Sequence, residues 1–149
     1  MKQIKKILFP INFADKYWIY IPWVSTLTEL SGATLYVLYV TQDLEEIVSL
    51  YATSEDIQRL KEKAMRAAQE KMKIAAREFF KEFNRLETRV VMGKPSQKIL
   101  ELANREGIDL IIMGTHGRKG LEYTIFGSVC REVMRDSSCP VVSINPQKA

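Results

Sequence analysis

Five apolar runs decide what this chain can become. They cover residues 4–9, 33–40, 86–92, 108–113 and 139–144; all but 86–92, where Glu87, Thr88 and Arg89 interrupt, are close to continuous rather than alternating. A strand with one wet face alternates apolar and polar residues. An unbroken run means burial on both faces, the condition of strands in a parallel sheet. Residues 33–40 are also rich in β-branched and aromatic side chains. Between the runs the periodicity changes. Thr53, Ser54, Glu55 and Asp56 form a capping-box pattern, after which Leu60, Ala64, Ala68, Met72, Ala75, Phe79 and Phe83 recur at intervals of three and four, the stripe of an amphipathic helix. Gly93, Lys94, Pro95 and Ser96 break the third run and open a helix carrying Ile99, Leu100, Leu102 and Ala103, which Gly107 ends. Residues 128–136 make a last helix with Val129, Val133 and Met134 on its apolar face. This alternation predicts an α/β fold, an open five-stranded parallel sheet with helices on both faces and right-handed crossovers. The 149 residues suffice for one such domain, spanning 1–149.

The first connection is irregular. Tyr17, Trp18, Tyr20 and Trp23 crowd its start, and Pro22 lies inside it. An interior proline removes a helix hydrogen bond and clashes with the preceding turn, so the helix expected over 16–31 either kinks near Pro22 or begins late with Pro22 in its first turn. Asn12 or Asp15 is the candidate cap. The aromatic rings are expected to cover the sheet, with a partner-facing patch as the alternative. Residues 41–52 form a loop or partly helical link, and 145–149 a frayed tail.

Charge narrows the function. Lys and Arg exceed Asp and Glu by 22 − 18 = 4, and the basic residues are mixed with acids along the chain. Nucleic-acid binding needs a clustered basic patch and is not expected; the small excess suits an anionic ligand. One histidine and two cysteines outside any Cys-x-x-Cys spacing offer no zinc set, so no resident metal is expected. Two thiols and no secretory leader fit a reducing, cytoplasmic setting. No apolar run has the length to span a bilayer, so no membrane role is expected.

The chemistry is expected in residues 114–128, which read Gly-Thr-His-Gly-Arg-Lys-Gly-Leu-Glu-Tyr-Thr-Ile-Phe-Gly-Ser between the fourth run and the last helix. Glycines let several backbone N–H groups converge, and the first turn of the following helix adds unpaired N–H groups and the positive end of its dipole. Strand, glycine-rich loop and helix start in that order make a phosphate site. Ser128 adds a hydroxyl, as a phosphate donor or as the helix cap.

The spacing Gly-x2-Gly-x9-Gly-Ser, carried by Gly114, Gly117, Gly127 and Ser128, resembles the signature of the ATP-binding branch of the universal stress protein family. The opening Ile7-Leu8-Phe9-Pro10 and the ending Ser138-Cys139-Pro140-Val141-Val142 resemble that family's first and last strands, so the resemblance covers essentially the whole chain. It implies a Rossmann-like sheet of order 3-2-1-4-5. Ligands of open α/β sheets bind at the carboxyl ends of the strands where the order reverses, here between the first and fourth. Residues 10–12 and 113–117 then face one another. The resemblance also implies ATP as the cofactor, with any Mg2+ held through its phosphates. Gly114, Gly117, Gly127, Ser128 and Val129 would bind on the loop-and-helix side. The backbone of Val40 would meet the adenine edge, and Pro10 and Met113 would flank the base. Asn12 stands where ATP-binding relatives usually carry Asp; an amide still accepts a hydrogen bond from a ribose hydroxyl but brings no negative charge.

The implied function is an adenine-nucleotide-binding regulatory protein of the stress response. It would be homodimeric through the last strand, Pro140 to Ile144, whose unpaired edge invites pairing, and its protein partners are unidentified. The alternative is a nucleotide-independent homodimeric adaptor in which the glycine loop is structural. An ATP-using enzyme lacks support: neither the Walker pattern nor Gly-x-Gly-x-x-Gly occurs, and no phosphate loop follows the first strand. His116 has no carboxylate or nucleophile placed near it, so no catalytic residue is assigned and at most slow hydrolysis is expected. Arg118 and Lys119 are either terminal-phosphate contacts or plain loop charges. Cys130 and Cys139 read as small buried hydrophobes.

Overall fold

The computed structural model describes residues 1–115 and 127–148. The strands are β1 (Lys6–Ile11), β2 (Thr34–Thr41), β3 (Leu86–Met92), β4 (Leu110–Gly114) and β5 (Val141–Ile144). The helices are α1 (Ile21–Ser31), α2 (Glu45–Val48), α3 (Ser54–Phe79), α4 (Pro95–Glu106) and α5 (Ser128–Asp136). All strand pairs are parallel, and the order β3-β2-β1-β4-β5 agrees with the expected Rossmann-like sheet.

Alternate side chains of a strand point to opposite faces, so continuous apolar runs feed two cores. Phe9, Leu35, Val37 and Ile112 pack with Val24 of α1, Met72 and Ala75 of α3, and Phe80. Leu8, Leu38 and Ile111 pack on the other face with Ile99 and Leu102 of α4 and Cys130 and Val133 of α5. The chain first builds outward from β1 to β3, then crosses over and builds outward the other way through β4 and β5. Right-handed crossovers therefore put the two helix pairs on opposite faces, and the reversal falls between β1 and β4.

Several local expectations shift. Pro10 and Ile11 belong to β1, not to the turn after it, and Gly114 is the last residue of β4 rather than the first of the loop. Helix α1 starts late, with Pro22 in its first turn, after a 3-10 turn at Tyr17–Tyr20. Neither Asn12 nor Asp15 caps it; the cap position is Tyr20, without a side-chain hydrogen bond. The link after β2 contains the short α2. Residues 146–148 form a 3-10 turn rather than a frayed tail.

The capping box at Thr53 and Asp56 is present, with both reciprocal bonds made. The α3 stripe is buried only from Ala68 onward, and Leu60 is exposed. Length explains this: the 26 residues of α3 span about 39 Å, whereas the 8 residues of β2 span about 26 Å, so the helix outruns the sheet. The aromatic group divides. Tyr17 and Tyr20 join the core, while Trp18 and Trp23 are 43% and 47% exposed, so the tryptophans do not cover the sheet. Trp18 instead stacks on Phe79 at 5.6 Å from the outside.

Candidate functional site

Hydrogen bonding opens the sheet at the point of reversal. β1 stays in register with β2 from Lys6↔Thr34 to Ile11↔Tyr39, but pairs with β4 only at Ile7↔Leu110 and Leu8↔Ile111. The Lys6 carbonyl accepts from the Asp109 N–H, so the even-numbered residues of β1 turn their backbone groups toward β4. At Pro10 the N–H that would continue this ladder does not exist. The β1–β2 ladder is spared, because the missing donor faces away from β2. Both strands run on past the break, and the gap between them is a cavity of about 270 Å³.

Pro10, Asn12, Val40, Met113, Gly114, Gly127, Ser128 and Val129 all line this cavity. Gly117 lies outside the described residues, as do His116, Arg118 and Lys119. Three distant segments therefore converge: the end of β1, the end of β2, and the β4 end with the α5 start.

Val40 contributes backbone. The Thr34 N–H donates to the Lys5 carbonyl, the Leu35 N–H donates to the Arg85 carbonyl, and the Thr41 carbonyl accepts from the Gly93 N–H. Even-numbered residues of β2 thus face β1. The Val40 carbonyl points that way, beyond Ile11, the last β1 residue in register with β2. An acceptor there suits an amino group on a planar base, and Pro10 and Met113 add apolar surface to the same lining.

The two described glycines of the signature differ. A Cβ on Gly114 would fall 2.8 Å from Cε2 of Tyr20 and closer still to its hydroxyl, so the ring occupies the space of a side chain. A Cβ on Gly127 would meet nothing within 4 Å among the described residues, and its φ of −58° is open to any residue. Gly127, not Ser128, is the cap residue of α5, and no described side chain caps the helix. Ser128 stands in the first turn, beside the uncapped N–H groups. The Gly127 N–H donates to the Thr115 carbonyl at 2.9 Å, and the Thr115 N–H donates to the Ile144 carbonyl at 3.0 Å. Backbone bonds therefore tie the ends of the 116–126 segment to each other and to β5.

Asn12 is committed locally: its Oδ1 accepts from the Ala14 N–H at 3.0 Å, the short turn characteristic of this residue type. Residue-type reasoning missed Tyr17 and Tyr20, which line the cavity together with Asp15. Among the described residues Asp15 is the one lining carboxylate, and the lining holds no Lys or Arg. Burial pushes the Tyr20 hydroxyl pKa up, with the Asp15 charge and Cys130 adding to it, so the phenol stays protonated at neutral pH. Burial likewise raises the Cys130 thiol. Among the described residues no group of three His, Cys, Asp or Glu can hold a metal. A single carboxylate does not make a resident metal site, but it can serve an Mg2+ brought in on phosphates.

The family model described as "Universal stress protein family" matches residues 3–145. The chain belongs to the universal stress protein family. It is 30% identical over 152 residues, covering 94% of each chain, to Universal stress protein MJ0577 of Methanocaldococcus jannaschii. The solved structure of MJ0577 matches with a TM-score of 0.81 at 31% identity over 97% of each chain. A universal stress protein from Archaeoglobus fulgidus solved in complex with dAMP shares the fold at a TM-score of 0.60 and 19% identity, covering 94% of this chain and 97% of that one. Another solved in complex with cAMP does so at 0.62 and 19%, covering 97% and 99%. Among the described residues no helix is long and apolar enough to cross a membrane.

Proposed function

We propose that this universal stress protein is a member of the ATP-binding branch and holds ATP in the cavity between β1 and β4. The base lies between Pro10 and Met113 with its amino group on the Val40 carbonyl, and Asn12 serves the ribose. The phosphates reach Gly114, Gly117, Gly127, Ser128 and Val129, carrying Mg2+ with them. The observation that carries this reading is Gly127: neither its backbone angles nor the described packing asks for glycine there, yet it lines the cavity at an uncapped helix start. A glycine that the fold does not need is accounted for by a ligand whose phosphates approach the backbone closely. Adenine nucleotides in solved relatives, dAMP and cAMP, support the ligand class.

The role we assign is regulatory, in the cytoplasm, with β5 from Pro140 to Ile144 pairing with a second copy. β5 is an edge strand of the sheet, and the Gly127–Thr115–Ile144 backbone bonds join it to the nucleotide site. Calorimetric titration of the nucleotide-stripped protein with ATP and Mg2+, repeated on Gly127→Val, tests the site. Micromolar binding that the variant loses while still melting cooperatively is the expected result. No heat at millimolar ATP would reject nucleotide binding and leave the homodimeric adaptor, whose assembly sedimentation with and without ATP would measure.

A further inference from the structure

Tyr20 is a polar side chain whose hydroxyl the described residues do not use. It is 6% exposed, packs edge-on against Phe9 at 6.5 Å, and lines the cavity. Its hydroxyl makes no hydrogen bond to any described residue, although buried polar groups are ordinarily paired. The oxygen is not sealed in the core. It sits over the Cα of Gly114, at the β4 end of the signature, in the place a side chain at 114 would fill. Gly127 and Ser128 at the start of α5 line the same cavity, and the Gly127 N–H is bonded to the Thr115 carbonyl, one residue on from Gly114. A protonated phenol is a donor, and the described lining supplies no cationic side chain for the negative charge the site would receive.

We infer that the Tyr20 hydroxyl donates a hydrogen bond to the phosphate chain of the bound nucleotide, acting together with the α5 start and favouring nucleotides with more phosphates over the bare nucleoside. This rests on the nucleotide reading above. It explains two residues together: Gly114 is glycine so that the Tyr20 ring can lie across the strand end, and the ring lies there to deliver its oxygen to the cavity. The raised hydroxyl pKa keeps the donor protonated through neutral pH. Tyr36, another buried tyrosine, does not line the cavity: it packs in the core beneath α4 and α5, with Lys6 and Arg89 over its ring.

Tyr20→Phe removes the oxygen and keeps the ring. Calorimetric titration of both proteins with ATP–Mg2+ and with adenosine should show ATP affinity falling about tenfold in the variant, the scale of one hydrogen bond to a charged group, with adenosine unchanged. Thermal melting without ligand checks that the variant is folded. Tyr36→Phe should leave both affinities as they were, and this second variant stands independently of how Tyr20→Phe folds. Equal weakening of ATP and adenosine, an unchanged ATP affinity in Tyr20→Phe, or an equal ATP loss in Tyr36→Phe would each overturn the inference while leaving nucleotide binding in place. Absence of ATP binding by the unaltered chain would remove the nucleotide reading and this inference with it.

Discussion

Gly114 closes β4 with the Tyr20 ring lying where a side chain would go, whereas Gly127 opens α5 with clear space at its Cβ position among the described residues. The two residues belong to one sequence signature and bracket one segment, yet the reasons for their lack of a side chain differ. At Gly114 the reason is internal packing. At Gly127 the described residues give no internal reason, and on the proposed nucleotide reading the demand comes from the ligand. On that reading the motif is two devices, one holding the fold and one keeping room for a ligand.

Substitutions separate them. The largest effect is expected from Gly127→Val on binding: ATP affinity falls about a hundredfold, equivalent to roughly 2.7 kcal/mol. The melting temperature drops by only about 2–4 °C, the scale of a poorer helix cap. Calorimetry beside thermal melting reads both. Gly114→Ala should do the reverse, costing about 1–3 kcal/mol of stability through overpacking against Tyr20. In a Tyr20→Ala background the same alanine should cost almost nothing, and denaturant unfolding of the four proteins measures that coupling. Similar effects of the two glycine substitutions on affinity and stability would collapse the distinction.

Thr53→Ala serves as a control at the far end of α3. Loss of the capping box should cost about 1 kcal/mol with ATP affinity unaltered, showing that lost stability alone does not move binding. The smallest effect concerns the other end of α5's anchorage. Glu132 accepts a hydrogen bond from Ser96 and pairs with Lys94 at 3.1 Å, which together hold its carboxyl below the ordinary value of 4.5. A depressed carboxylate pKa gives stability that is present above the unfolded value and is lost as pH falls through the folded one. Glu132→Gln should therefore flatten the acid limb of the pH–stability curve slightly and leave ATP affinity at neutral pH unchanged.

The strands, their parallel sense and the α3 cap were legible because each is written in a local pattern: continuous apolar runs, and a Thr followed three residues on by Asp. The convergence of Pro10, Val40, Met113 and Gly127 was legible through the family resemblance and the rule for strand-order reversal. What local pattern could not carry is set by register. Nothing near Pro10 says that its missing N–H faces β4 rather than β2; that depends on the even-numbered face of β1. Tyr20 was grouped with Trp18 and Trp23 by composition, but only the packed structure shows that it lies over a glycine at the far end of the chain. The exposure of Leu60 likewise depends on the mismatch between helix and strand lengths, which periodicity does not encode.

The bond from the Gly127 N–H to the Thr115 carbonyl has a consequence for how such chains vary. Because the ends of the intervening segment are fastened to one another, and through Thr115 to Ile144, its length is decoupled from the frame. A peptide tag spliced there should therefore leave the sheet where it is.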